Sequence, residues 1–274
     1  MTQRKSILAR RPLAAFFVLS ILLFLPLFAA AGVAVMLDAP AWLQYLTQAL
    51  SSWSPSFAAL IVTSATAGRA GVRELLSGFL RWQVRPVWYG IAIAVPIALG
   101  FAVAGVYALL TGRPSGVLAS FTVPTLVGTV LSHLFRGPLG EELGWRGFAL
   151  PRLQARHSAL KSSLILGGGG VVWHIPTLFI QGLAGTELLV FIVGFVVALL
   201  AFTVVMTWLY NHTEGSLLLA AFMHLAFNVA VTLAVVPLQT QMAILAGLYV
   251  VFALAVTLTG DPDRSTQTLI EGDS

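Results

Sequence analysis

Two adjacent carboxylates followed by an arginine form the most chemically suggestive stretch of the sequence. Glu141 and Glu142 come shortly after a Gly137–Pro138 break, and Arg146 follows Glu142 at i,i+4 spacing. Adjacent carboxylates repel each other when both are ionised, so one of them is expected to hold its proton more tightly and to act as a base. An ion pair between Glu142 and Arg146 would leave Glu141 free for that role. The alternative interpretation is a loop at the membrane surface with solvated charges.

Two histidines and an asparagine lie inside apolar segments, where an ionisable or polar side chain is costly and needs a reason. His174 follows the glycine run 167–170, while His224 and Asn228 stand four residues apart and share one helix face. At 1.5 Å per residue, His174 and His224 lie at similar depth, about 18 Å and about 14 Å into their segments. Each also fits a packing role, as a histidine bonded to a neighbouring backbone or as an interhelical His–Asn pair.

Taken together, two carboxylates, two imidazoles and an amide are the groups that water-activating hydrolysis uses. Such a reaction needs a base, an orienting or metal-binding group and an oxyanion donor. The sequence has no H-E-x-x-H helix and no G-x-S-x-G turn, and its lack of cysteine excludes a thiol nucleophile and a thiolate metal site. The remaining histidines, His133, His157 and His212, are interpreted as structural.

The segments that must position these side chains are apolar enough to cross a membrane. The chain is 58% hydrophobic and 9% charged, against about 25% charged residues in a soluble domain, so lipid must be the solvent for most of its surface. A span needs roughly 20 mainly apolar residues. This predicts an all-α fold, a polytopic membrane helical bundle of about eight transmembrane helices, near residues 12–36, 45–67, 88–110, 118–135, 162–181, 187–210, 215–236 and 239–259.

The charges between these spans predict an orientation in the cell membrane. Fourteen of the 15 basic residues fall on one side, and Arg113 alone falls on the other, which favours a multi-pass protein with both termini in the cytoplasm. The formal charge of +5 is therefore attributed to membrane orientation, and no nucleic-acid partner is expected. Residues 1–274 are expected to form a single membrane domain, with N-terminal spans in 1–117, the motif-bearing core in 118–236, a last span in 237–259 and a disordered polar tail in 260–274.

The three motifs, in this order and spacing, resemble those of the CAAX-protease and bacteriocin-processing family, also called the type II CAAX prenyl endopeptidase family. Glu141, Glu142 and Arg146, followed by Gly147, match its first motif. The stretch 173–176 (WHIP) matches the end of its second motif, although the aromatic residue expected four positions before the histidine is Gly170 here, which leaves the packing beside His174 open. His224 and Asn228 match the third, and the likeness covers residues of about 120–236.

The resemblance implies an intramembrane endopeptidase that cleaves a membrane-tethered or lipidated peptide. In it, Glu141 would activate water together with His174, Glu142 and Arg146 would support the site, and His224 and Asn228 would bind a metal or stabilise the oxyanion. Zinc would accept Glu141, His174 and His224 as ligands, and a metal-free glutamate mechanism is the alternative. Two other functions stay open: a non-catalytic scaffold or bacteriocin-immunity protein on the same fold, and a transporter, although no paired repeat typical of transporters is present.

One geometric problem is visible in the sequence. The two histidines lie at mid-depth, whereas Glu141 follows a span that should already have reached the cytoplasmic face. We therefore expect the Gly137–Pro138 break to turn the chain, so that the helix carrying Glu141 enters a cavity open to the cytoplasm.

Overall fold

The computed structural model describes residues 7–113, 115–117 and 122–259, and helices make up most of this part of the chain. The helices are α1 (Ile7–Arg10), α2 (Pro12–Met36), α3 (Ala41–Ser52), α4 (Ser54–Ser77), α5 (Pro86–Thr111), α6 (Val123–Phe135), α7 (Pro138–Glu142), α8 (Leu150–Gln154), α9 (Ala159–Leu178), α10 (Gly185–His212), α11 (Leu217–Leu233) and α12 (Leu238–Thr259). A π-helical turn, Leu143–Ala149, joins α7 to α8, and a short 3₁₀ turn, Gly78–Leu80, follows α4. Strands β1 (Gly116–Val117) and β2 (Ala234–Val235) form an antiparallel two-residue ladder.

The long apolar helices agree with the sequence prediction of membrane spans. Within the described ranges, four helices are long and apolar enough to cross a membrane, namely α2, α5, α10 and α12. Proline begins α2 and α5, where its missing N–H group costs no helical hydrogen bond. The chain is thus an all-α membrane helical bundle. The total of eight spans and the cytoplasmic placement of both termini stay predictions, and the predicted tail 260–274 lies outside the described residues.

The structure differs from the predicted spans in two places. The segment 45–67 is divided at Trp53 between α3 and α4, and α4 then continues to Ser77. The segment 118–135 is represented by α6, whose 13 residues extend about 20 Å at 1.5 Å per residue, less than the hydrocarbon thickness of about 30 Å. The first residues of that predicted span, 118–121, lie outside the described ranges.

The stretch 136–161, between two predicted spans, contains a further helical element. The elements α7, the π turn and α8 run together over 138–154, and we call them the glutamate helix. Arg146, counted in the sequence as a loop charge, lies within it and is buried. The helix that was expected to carry Glu141 is confirmed, and it continues through the π turn to Gln154.

Two apolar cores flank the glutamate helix. One core joins α2, α4, the glutamate helix and α9, and includes Phe16, Phe24 and Phe148. The other joins α5, α10, α11 and α12, and includes Phe202, Met206 and Tyr249. The motif residues lie where these two cores meet.

Candidate active site

Glycines allow the glutamate helix to approach the start of α4 closely. A Cβ atom on Gly144 would lie 2.6 Å from the carbonyl carbon of Pro55, and one on Gly140 would lie 3.0 Å from the Ser52 carbonyl oxygen and 2.6 Å from Trp53 Cδ1. Neither position has room for a side chain. Small residues four apart commonly let membrane helices approach each other closely in this way. This packing fixes the two glutamates, which stand between the glycines.

Glu142 is held in a buried network of charged groups. Its Oε1 accepts a hydrogen bond from Arg146 Nη1 at 3.0 Å and another from His224 Nδ1 at 2.7 Å. Glu142 is 0% exposed and Arg146 is 5% exposed, so the alternative of solvated loop charges is wrong. The expected Glu142–Arg146 pair is confirmed, and its positive charge relieves the repulsion that was expected between the two adjacent carboxylates.

Glu141 lies beside this network and faces a cavity. Its Oε2 accepts a longer hydrogen bond, 3.3 Å, from Trp145 Nε1. The carboxylate lies near enough to His174 and His224 to interact electrostatically with both imidazoles. Because this bond is weak and the group lines the cavity, Glu141 is the carboxylate that a ligand in the cavity can reach.

His174 is oriented by its own helix. Its Nδ1 lies 2.8 Å from the carbonyl oxygen of Gly170, and since a carbonyl only accepts, the proton of the neutral ring is on Nδ1 and Nε2 carries a lone pair. The ring packs edge-on against Trp173, with centroids 4.6 Å apart, and against Phe195 at 5.2 Å. These two rings supply the packing that the absent aromatic residue at position 170 had left open.

His224 and Asn228 face the break before the glutamate helix. A Cβ atom on Gly137 would lie 2.8 Å from Asn228 Nδ2 and 3.7 Å from His224 Nε2. The backbone at the Gly137–Pro138 break thus lies directly against both side chains of the third motif. The expected turn of the chain at this break is present, since α6 ends at Phe135 and α7 begins at Pro138.

One cavity of about 450 Å³ unites these side chains. It is lined by five of the predicted site residues: Glu141, Arg146, His174, His224 and Asn228. The sixth, Glu142, does not line the cavity but is hydrogen-bonded to His224, which does. Its other walls are largely apolar and aromatic, with contributions from Phe191, Phe195, Phe202, Phe227 and Leu199. The structure therefore brings all six sequence-predicted site residues together, and the arrangement offers a carboxylate, an imidazole lone pair and an amide to a ligand in an apolar enclosure.

The cavity also has polar lining residues that the sequence did not single out, among them His133, Arg136 and Trp145. His133 and Arg136 line its wall, although His133 was interpreted as structural. Trp145 also lines the cavity and bonds to Glu141. The i,i+3 spacing of His133 and Arg136 on one helix face, just before the break, is the signal that could have found the first two.

The zinc site that was expected from Glu141, His174 and His224 stays a prediction. Oxygen and nitrogen donors of this kind suit zinc, yet no group of three or more His, Asp or Glu side chains in the described ranges is arranged to hold a metal ion. The Nδ1 atom of His224 is engaged with Glu142, which leaves Nε2 of that ring for a ligand, the usual arrangement of a histidine that binds a metal.

Comparison with known proteins agrees with the geometry. Residues 122–230 match the family model described as "Type II CAAX prenyl endopeptidase Rce1-like". The chain is also similar to the "CAAX prenyl protease 2" of Methanococcus maripaludis, with 31% identity over 111 residues, which are 39% of this chain and 39% of the relative. The match thus spans about two fifths of the length of that relative.

The matched segment contains every predicted site residue, from Glu141 to Asn228, and most of the residues that line the cavity. The N-terminal helices α1 to α5 and the last helix α12 lie outside it. Over this segment, the chain is similar to the type II CAAX prenyl endopeptidases.

Proposed function

We propose that this protein is an intramembrane endopeptidase that hydrolyses a peptide bond in a membrane-associated substrate. The observation that carries the proposal is the single cavity in which Glu141, His174, His224 and Asn228 converge. The match of residues 122–230 supports it, because the matched family model is that of an endopeptidase.

In the proposed reaction, Glu141 is the general base. It takes a proton from a water molecule, whose oxygen adds to the carbonyl carbon of the scissile peptide bond. The Nε2 lone pair of His174 accepts the second hydrogen of that water and thereby orients it. Glu141 then gives its proton to the departing amine, so that one water and one peptide bond yield a carboxylic acid and an amine.

The negative charge on the carbonyl oxygen needs donors, and the opposite side of the cavity supplies them. Asn228 offers the N–H groups of its amide, and His224, with Glu142 on its Nδ1, offers Nε2–H when its ring is doubly protonated. Glu142 and Arg146 do not face the reacting bond in this scheme. They hold the His224 ring in position, and their role is support.

The apolar and aromatic walls favour a substrate with apolar groups near the scissile bond. The matched relative is named a prenyl protease, so we infer that the substrate is a peptide tethered to the membrane, with a lipidated peptide as the first to test. Membrane lipid is the surrounding solvent, and no step requires nucleic acid.

The test is cleavage of a lipidated, fluorogenic peptide by the purified protein in liposomes. Glu141→Gln keeps the shape of the side chain and removes its basicity, so we expect turnover to be abolished while the protein remains folded by thermal unfolding. Unchanged turnover would exclude Glu141 as the base. A chelator arm tests the metal, and loss of activity with recovery on added zinc would replace the metal-free scheme.

The competing function is a non-catalytic scaffold or immunity protein on the same fold. It predicts that cells carrying Glu141→Ala keep the wild-type phenotype and accumulate no uncleaved membrane peptide. A proteomic comparison of wild-type and Glu141→Gln cells separates the two functions.

A further inference from the structure

The four consecutive glycines of α9 do not all have the same reason to be glycine. Glycine weakens a helix relative to alanine, so each needs an explanation. A Cβ on Gly167 would lie 3.0 Å from Leu200 Cδ2, and one on Gly169 would overlap the ring of Phe17. These two glycines let α9 pack closely on α10 and α2.

Gly168 and Gly170 have no such packing constraint. Within the described part of the chain, a Cβ on Gly168 would meet no atom within 4 Å, and one on Gly170 would meet Leu199 Cδ2 at an ordinary contact distance of 3.6 Å. Close packing therefore does not require glycine at position 170. What distinguishes Gly170 from Gly168 is that Gly170 lines the cavity of the candidate active site.

The missing side chain leaves a recess beside His174. The carbonyl oxygen of Gly170 accepts the hydrogen bond of His174 Nδ1, so the two residues lie on adjacent turns of the same face. Leu166, Leu199 and Phe195 form the neighbouring wall of the cavity. The recess is therefore apolar and borders the imidazole that orients water in the proposed reaction.

We propose that residue 170 sets the size of the apolar side chain that the cavity accepts next to the scissile bond. The inference rests on the proposed function and deepens it. A peptide whose carbonyl lies at Glu141 and His174 directs a flanking side chain into this recess. Glycine makes the recess deep, so a large apolar side chain such as Leu or Phe is the preferred occupant.

The experiment varies the size of the side chain at position 170 and, independently, the size of the peptide side chain next to the scissile bond. Wild type, Gly170→Ala and Gly170→Leu are assayed for kcat/KM on lipidated peptides that carry Ala, Val, Leu or Phe next to the scissile bond. We expect Gly170→Leu to lower the Phe-to-Ala ratio of kcat/KM by about tenfold or more. Gly170→Ala, whose added methyl has room, is expected to shift the ratio in the same direction by less.

Gly168→Leu is the matched control, because it makes the same chemical change on the same helix outside the cavity lining. It should leave the ratio unchanged, and thermal unfolding of every variant checks folding. Equal losses on all four peptides, or a preference that follows the length of the lipid and not the side chain, would overturn the inference. Absence of cleavage by wild type would instead overturn the proposed function, and this inference with it.

Discussion

The two sides of the glutamate helix present neighbouring carboxylates to different surroundings. On the buried side, Glu142 accepts hydrogen bonds from Arg146 and His224 at 3.0 Å and 2.7 Å and has no exposed surface. On the cavity side, Glu141 accepts a 3.3 Å bond from Trp145 and faces an open volume. A carboxylate held by two short hydrogen bonds to basic groups stabilises structure, whereas one that holds a single long bond beside a cavity can take part in chemistry. We therefore expect substitutions on the buried side to change stability and those on the cavity side to change rate.

The largest expected effect is on stability, at Glu142. Glu142→Ala leaves Arg146 buried without its anionic partner, and breaking a buried ion pair in this way costs about 3–5 kcal/mol. Unfolding of the purified protein in mild detergent measures the loss. The matched change Glu141→Ala is expected to cost less than about 1 kcal/mol, and equal losses at the two positions would refute the distinction between the two sides.

A double-mutant cycle sharpens the same comparison. If Glu142 and Arg146 act as one unit, the variant lacking both should be more stable than the sum of the two single losses implies, by about 1–3 kcal/mol. A cycle between Glu141 and Arg146 is the control. Additive losses in the first cycle would mean that the 3.0 Å contact contributes little.

The cavity side is tested by His174→Gln. The substitution removes the imidazole that is proposed to orient water, so we expect kcat to fall about 100-fold. The free energy of unfolding should change little, because Trp173 and Phe195 continue to form the wall. A large loss of stability with unchanged kcat would assign His174 to packing, the role that the sequence analysis left open.

A smaller effect is expected where the buried and cavity sides meet, at Gly137. In Gly137→Ala, the new methyl would lie 2.8 Å from Asn228 Nδ2, and displacing the amide should lower kcat/KM about tenfold through loss of oxyanion geometry. Gly128→Ala is the control on α6, since a Cβ there meets no described atom within 4 Å. If both variants retain full activity, the position of the Asn228 amide is not important for the reaction.

The smallest effect is expected at Trp145. Trp145→Phe removes the N–H donor to Glu141 and keeps most of the ring packing against Phe16. Because the bond is long, we expect a loss of about 1 kcal/mol or less in stability and a change in kcat of a few fold. A loss of activity as complete as that of Glu141→Gln would make Trp145 essential for placing the base.

Part of this architecture follows from local sequence. The apolar segments that become α2, α5, α10 and α12 are long enough to identify directly, because a membrane imposes a minimum length on a crossing helix. The Glu142–Arg146 pair also follows, since i,i+4 spacing brings the two side chains together on any helix. A helix after the Gly137–Pro138 break was also expected, but its close packing through Gly140 and Gly144 on α4 was not, because that packing is a relation between distant segments.

The sequence by itself determined that the chain needs lipid around it and which residues are unusual there: two glutamates, an arginine, two histidines and an asparagine. The sequence also favoured a division in which Glu142 pairs with Arg146 and Glu141 stays free, and only the tertiary structure supplied the contacts that separate the two glutamates. His224, 82 residues away in sequence, forms a hydrogen bond with Glu142, whereas Glu141 lines the cavity. The physical reason is that adjacent residues of a helix point in different directions, so identical side chains next to each other acquire their roles from the elements that pack on each side.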